Sequence, residues 1–330
     1  MTIYSWQFED YQQLAQRAER LPHALLFKGA PGIGKRAFAG ALALGLLCEK
    51  PSAPLSACGK CEACHWFETG NHPDFRQLQP QAAENPDDAE PADKKKKRDI
   101  SVAQVRSLGD FINISAHRRG PKVVLIQPAE AMNVNAANAL LKSLEEPPPA
   151  THFLLVSERP HLLPATLRSR CQQIALTLPT PQEAALWLAQ NGVSQPELAL
   201  AQAGGAPLLA AELDKPDYWS ARQAFLDSLC AREFDPLALA ERFYAQPIPQ
   251  IINWLQRWSY DLVSIGCGLP LRYNPDRKEA LILAVKHMKN LEIMRYHREL
   301  VRFQRIVNHP LSPRLVLEDL LLRYAQLTQG

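Results

Sequence analysis

The segment Gly29-Ala30-Pro31-Gly32-Ile33-Gly34-Lys35 narrows most sharply what this chain can fold into. It fits the pattern G-x-x-x-x-G-K, in which backbone N–H groups cradle phosphates and the lysine reaches the outer ones. Before it, His23-Ala24-Leu25-Leu26-Phe27 is a short apolar run that reads as a buried strand. After it, Arg36 to Leu47 carries Phe38, Leu42 and Leu46 at helical spacing. Strand, glycine loop and helix in that order are the context a phosphate-binding loop requires. A helix merely packed on a core would keep the apolar spacing without Gly29, Gly32, Gly34 and Lys35 at these offsets. One position departs from the pattern. The residue after the lysine should be Ser or Thr, whose hydroxyl ligates Mg²⁺, and it is Arg36. A guanidinium has no acceptor and is always charged, so it cannot take that role.

Further buried strands are expected at Lys122–Gln127, His152–Ser157 and Gln173–Leu176, with a helix over Ala136–Leu144 between the first two. Strands alternating with helices predict a parallel sheet covered on both faces. A nucleotide hydrolase also needs an acidic pair after its second buried strand, one member holding Mg²⁺ and the other polarising water. Here Val123-Val124-Leu125-Ile126 runs into Gln127-Pro128-Ala129-Glu130. Gln127 and Pro128 carry no carboxylate, and Glu130 is displaced by two residues and reads as a helix-entry acid. The two metal-holding elements therefore fail independently, which predicts a lost hydrolytic activity. Lys35 remains, so ATP binding is expected to be weak or absent. Its plainer role is an exposed lysine at a helix N-terminus.

Four of seven cysteines cluster as Cys48, Cys58, Cys61 and Cys64. No apolar run approaches the roughly 20 residues of a membrane span, and Met1 to Arg20 has no signal-peptide core, so a cytosolic chain is expected. In a reducing compartment such a cluster reads as metal ligands, and four thiolates fill a tetrahedral, structural zinc site. Iron–sulfur ligation and unligated thiols are the alternatives. With four sulfurs available, His65 and His72 read as surface histidines. Cys171, Cys230 and Cys267 are scattered and read as buried small hydrophobes.

Residues 81–98 gather five acids, two prolines and then Lys94-Lys95-Lys96-Lys97-Arg98, the signature of a solvated, disordered insertion. Contact of the basic run with DNA phosphates is the alternative. The overall net charge of +3 is too mild to argue nucleic-acid binding. Beyond Pro179 the pattern is helical: Glu183–Asn191, Pro196–Ala201, a break at Gly204-Gly205, Pro207–Leu213, then Pro249–Gly266, Arg277–Glu299 and Leu315–Gln326. Ile251, Leu255, Trp258 and Leu262 form an apolar stripe that serves either this domain's own core or packing against another chain. Three units are expected: an α/β domain over 1–178 with its cysteine module at 48–64 and insertion at 81–98, a small helical lid over 179–213, and an all-α domain over 214–330.

Two further motifs make a resemblance specific. Asn138-Ala139-Leu140-Leu141-Lys142-Ser143-Leu144-Glu145-Glu146-Pro147-Pro148 resembles the NALLK-x-LEEPP run of AAA+ clamp-loader subunits, and Ser169-Arg170-Cys171 resembles that family's SRC motif. The cysteine spacing also resembles that of the bacterial members. The resemblance covers Pro22 to Cys171, and the helical remainder agrees in length and class. It implies an AAA+ P-loop domain, a helical lid and a carboxy-terminal collar, in a ring with the gamma/tau and delta subunits of DNA polymerase III. Through that complex it implies contact with a sliding clamp and primer–template DNA. It gives Arg170 the role of an arginine finger acting in trans on a neighbour's ATP site. It makes Ser157 a remnant of a phosphate sensor, and it leaves Gly204-Gly205-Ala206-Pro207 where active relatives carry a lid arginine. The chain itself is expected to be a non-catalytic subunit of the polymerase holoenzyme. Rival readings are an active ATPase using Glu130 as metal ligand and a zinc-containing DNA-binding module.

Overall fold

A computed structural model describes residues 3–80, 99–118, 120–231, 233–306 and 312–328. The insertion expected at 81–98 lies outside the described residues. The chain divides into two compact units, Met1–Pro179 and Thr180–Gly330.

The first unit is built on a fully parallel five-stranded sheet. Its strands are β1 (Ala24–Lys28), β2 (Phe75–Leu78), β3 (Lys122–Ile126), β4 (Thr151–Ser157) and β5 (Gln172–Ala175), in the order β2-β3-β4-β1-β5. Ala24 pairs with Phe153, Val124 with Phe153 from the other side, and Leu25 with Gln172. β1 and β3 are apolar almost without interruption because both faces are covered. On one face lies α2 (Lys35–Leu47), where Phe38 meets Phe27 edge to face at 5.3 Å. On the other lie α4 (Val102–Asn113) and α5 (Val134–Glu145), whose Leu108, Ile112, Leu140 and Leu144 share a core with Leu26, Val124 and Phe153. Ser101 and Gln104 close a capping box at the start of α4, and the Asn133 side chain accepts the Ala136 N–H at the start of α5. Shorter helices α1 (Phe8–Ala15), α3 (Glu62–Glu68) and α6 (Ala165–Arg168) complete the unit.

The second unit is helical throughout its described residues. α7 (Pro181–Gln190), α8 (Pro196–Gln202) and α9 (Pro207–Leu213) bury Ala184, Leu188, Ala199 and Ala210 in a cluster of their own. A larger core joins α10 (Pro216–Leu229), α11 (Pro236–Phe243), α12 (Ile248–Gly266), α13 (Lys278–Val285), α14 (Asn290–Ile306) and α15 (Pro313–Thr328). The stripe Ile251, Leu255, Trp258 and Leu262 is buried in this core, so it packs its own domain rather than another chain. Two indoles keep their N–H groups satisfied there, Trp254 donating to the Tyr218 hydroxyl and Trp258 to that of Tyr324.

Three expectations need correction here. The strand expected buried at Gln173–Leu176 is β5 (Gln172–Ala175), which lies at the sheet edge with Gln172, Gln173 and Ala175 exposed. The helical stretch Arg277–Glu299 is broken: a short 3₁₀ turn, Pro275–Arg277, precedes α13, and residues 286–289 separate α13 from α14. Cys230 and Cys267 are exposed, while Cys171 is buried as expected. Both exposed thiols sit at the carboxy-terminal caps of α10 and α12, where the chain leaves the core.

Candidate functional site

In a parallel sheet, ligand sites form beyond the carboxyl ends of the strands. β1, β3 and β4 here deliver Gly29–Lys35, Gln127-Pro128 and Ser157-Glu158 to that edge. Gly34 caps α2 in the left-handed region, with φ 91°. A Cβ there would lie 2.5 Å from the Tyr4 ring, so glycine is required both by conformation and by the close approach of the amino-terminal segment. That segment also grips the loop through side chains. Trp6 Nε1 and Gln7 Nε2 both donate to Ile33 O, at 3.1 and 2.9 Å.

Lys35 is the first residue of α2 and is not an exposed lysine: it retains 4% of its accessible surface. Its Nζ donates to Ala30 O at 2.5 Å, within the loop itself, and lies 3.6 Å from Glu158 Oε1. Burial pulls its pKa below that of an ordinary lysine, opposed by the charges of Glu158 and Glu130. Arg36 points outward, exposed. Gln127 is buried, and its Oε1 has no partner among the described residues. Glu130 sits in a 3₁₀ turn, Ala129–Ala131, and does more than open a helix. Its Oε1 accepts the backbone N–H groups of Glu158 and Arg159 at 3.0 and 3.1 Å, tying the β3 and β4 loops together. The Ser157 hydroxyl is wholly buried without a partner among the described residues.

Arg170 follows α6. Its Nη2 lies 2.5 Å from Glu145 Oε1, and its Nη1 donates to Thr166 O at 2.9 Å. The two motifs that carried the resemblance therefore meet in space, Glu145 from one and Arg170 from the other. Gly204–Pro207 links α8 to α9 in the second unit.

The four cysteines converge, with all sulfurs within 4.8 Å of one another. Cys48 and Cys61 sulfurs are 4.0 Å apart and those of Cys58 and Cys64 are 3.9 Å apart. A tetrahedron with metal–sulfur bonds of about 2.3 Å has edges of about 3.8 Å, so the cluster could hold a metal ion. Backbone N–H groups of Lys60 and Cys61 point at Cys58 Sγ and hold its thiol down to about 6, which favours the ligating thiolate. Burial pushes Cys64 up to about 12 in the metal-free geometry. His65 is exposed, as expected, but His72 is buried at 3%. Its Nδ1 accepts the Asp74 N–H at 3.1 Å, and burial lowers its pKa.

Over residues 6–180 the chain matches the profile of a family described as DNA polymerase III, delta subunit, and over residues 216–326 that of DNA polymerase III, delta subunit, C terminal. It is 37% identical to DNA polymerase III subunit delta' of Pseudomonas aeruginosa, with 98% of each chain covered. It belongs to the DNA polymerase III delta-prime family. The Escherichia coli subunit delta' is 32% identical, with 96% of this chain and 98% of that one covered. Among solved structures, a DNA polymerase III gamma subunit-related protein from Thermotoga maritima aligns over 96% of this chain and 99% of that one, at 17% identity and a TM-score of 0.47.

Several residues of this delta-prime family member gave no signal in the sequence. Arg118 clasps the cysteine module: it pairs with Glu62 at 2.5 Å and Glu49 at 3.5 Å, and its guanidinium lies 4.5 Å over the Trp66 ring. The buried Asp74 carboxylate accepts the backbone N–H groups of His117 and Arg118, which fixes that arm. Glu158 and Glu145 were likewise invisible as partners of Lys35 and Arg170, because each contact spans more than twenty residues of sequence.

Proposed function

We propose that this chain is the delta-prime subunit of a bacterial clamp loader, a subunit that does not hydrolyse ATP and completes a neighbour's ATP site. It joins gamma/tau and delta subunits in a hetero-oligomeric ring in the cytoplasm. Through that ring it helps to place the sliding clamp on primer–template DNA during replication. Arg170 reaches the adjoining gamma/tau site and stabilises charge on the transferred phosphoryl group. The Cys48, Cys58, Cys61 and Cys64 cluster holds a structural Zn²⁺, which has no open position for chemistry. In this division of labour 1–178 is the AAA+ domain, 179–213 its lid and 214–330 the collar.

The observation that carries the non-hydrolysing part of the reading is the state of Lys35. The one phosphate-binding side chain left in the loop is buried against Ala30 O and Glu158, while Arg36, Gln127 and Pro128 stand where metal-holding groups would be. Against the rival of an active ATPase stands the absence of a carboxylate at Gln127 and Pro128, the positions after β3 where the metal-holding pair is needed. The test is reconstitution with gamma/tau, delta, clamp and primed DNA. The Arg170→Ala chain should assemble normally and lower hydrolysis at the site it serves by a factor on the order of 10³. Unchanged clamp-stimulated hydrolysis in a verified complete assembly refutes the finger. Turnover by the isolated chain that vanishes in Lys35→Ala refutes the loss of intrinsic activity.

A further inference from the structure

We propose that Glu145 is a positioning residue for the Arg170 guanidinium, an inference that rests on the arginine-finger reading above. Glu145 is the last residue of α5, and Arg170 lies in the turn between α6 and β5. The fold brings them together so that both terminal nitrogens of the guanidinium are held within its own subunit: Nη2 by Glu145 Oε1 at 2.5 Å, Nη1 by Thr166 O at 2.9 Å. Thr166 O also accepts the Ser169 hydroxyl, at 3.0 Å, and the Arg170 N–H donates to Leu167 O, at 3.2 Å, so the turn that carries the arginine is itself tied down. The hydrogen bond to Thr166 O and the ion pair with Glu145 together restrict where the guanidinium can lie. Arg168, two residues earlier, has no ion pair among the described residues and a buried Nε without a partner.

The pair lies at the surface, with 35% of the Arg170 side chain and 47% of the Glu145 side chain accessible. An ion pair so exposed contributes little to folding stability, so what the contact supplies is orientation. A guanidinium has five N–H donors, and one of them is given to Thr166 O in a hydrogen bond while Nη2 is ion-paired with Glu145. Donors are left over, so the arginine can be held by Glu145 and still donate to phosphoryl oxygens of an adjoining subunit. Holding it in one arrangement before the subunits meet removes rotamers that would otherwise be lost at the moment of reaction.

The test is a double-mutant cycle in the reconstituted clamp loader, using full-length chains and reading kcat and KM for clamp-stimulated ATP hydrolysis. With Arg170 present, Glu145→Ala should lower kcat about two- to fivefold, the range an exposed ion pair supports, and leave KM unchanged. Glu145→Gln keeps an acceptor oxygen and should lose less. In an Arg170→Ala background, Glu145→Ala should change nothing further. An equal loss in both backgrounds overturns the proposal in favour of a general structural role, and no loss with Arg170 present overturns it outright. In either case Arg170→Ala alone still reports on the finger. If Arg170→Ala leaves hydrolysis intact, the finger reading fails and this inference falls with it.

Discussion

Alanine at a helical glycine normally stabilises a protein, because glycine costs a helix interior about 1 kcal/mol. Gly45→Ala should do the opposite. Gly45 lies inside α2, and a Cβ built on it would sit 2.0 Å from Leu55 O, 2.6 Å from Leu55 C and 3.0 Å from its Cα. All three are backbone atoms of the loop leading to Cys58. The loop would have to retreat by about 1.4 Å, the gap between 2.0 Å and the 3.4 Å at which ordinary contact begins. Leu55 is poorly placed to move: it holds φ 60°, its side chain is buried, and its carbonyl lies 2.7 Å from the Tyr11 hydroxyl. Losing that hydrogen bond costs about 1 kcal/mol. Uncovering part of the Leu55 side chain costs a further 1–2 kcal/mol or so. Against the helix gain of about 1 kcal/mol, the net is a destabilisation of about 1–2 kcal/mol. Gly109→Ala is the control, since Gly109 is also helical, in α4, and a Cβ there meets nothing within 4 Å. It should stabilise by up to about 1 kcal/mol. Hydrogen exchange of α2 and α4 amides in low urea reads both sites within the first unit and avoids a global transition shared with the second. A Gly45→Ala protein as stable as the parent would refute the claim that the cysteine loop is packed against this helix.

Metal analysis of the purified chain should give one zinc per chain, and Cys61→Ser should lose it and loosen the amides of α3. Zinc retained at full stoichiometry in that variant would contradict four-sulfur ligation. Ser157→Ala should be neutral or stabilising by up to about 1 kcal/mol in urea unfolding, because it removes a buried hydroxyl that has no partner among the described residues. A clear destabilisation would mean that the hydroxyl has an unrecognised role. Stability should fall as pH is lowered from about 7.5 to 5.5. Burial depresses His152 and His297 below 6.5 in the folded state, so the unfolded chain takes up protons first, and stability present above 6.5 is lost as pH drops toward the folded values. Each half-buried ring contributes at most about 1.4 kcal/mol per pH unit. Urea midpoints across this range check it, and the slope should flatten when both are changed to Gln.

What could be read in the sequence was what local pattern controls. β1, β3 and β4 were legible because strands covered on both faces are apolar throughout. β2 was not: Phe75-Arg76-Gln77-Leu78 is an edge strand with two exposed polar residues, and nothing in four residues distinguishes it from a loop. α4 also went unread, although its apolar positions Val105, Leu108 and Ile112 fall three and four apart. The break between α13 and α14 was missed because Lys286–Lys289 contains neither glycine nor proline.

By itself, the sequence determined the strand, glycine loop and helix around Gly29–Lys35, the placing of Arg36 directly after Lys35 and the spacing of the cysteines, because each depends on residues close together along the chain. The tertiary structure alone decided what the charged and titratable side chains of the candidate site touch. Lys35 is buried on Ala30 O and beside Glu158, His72 is buried with its ring against that of Trp66, and Arg170 is held by Glu145. Ala30 lies in the same loop as Lys35, but Glu158 and Glu145 come from distant segments, and a charged side chain carries no mark of which distant residue the fold will bring beside it.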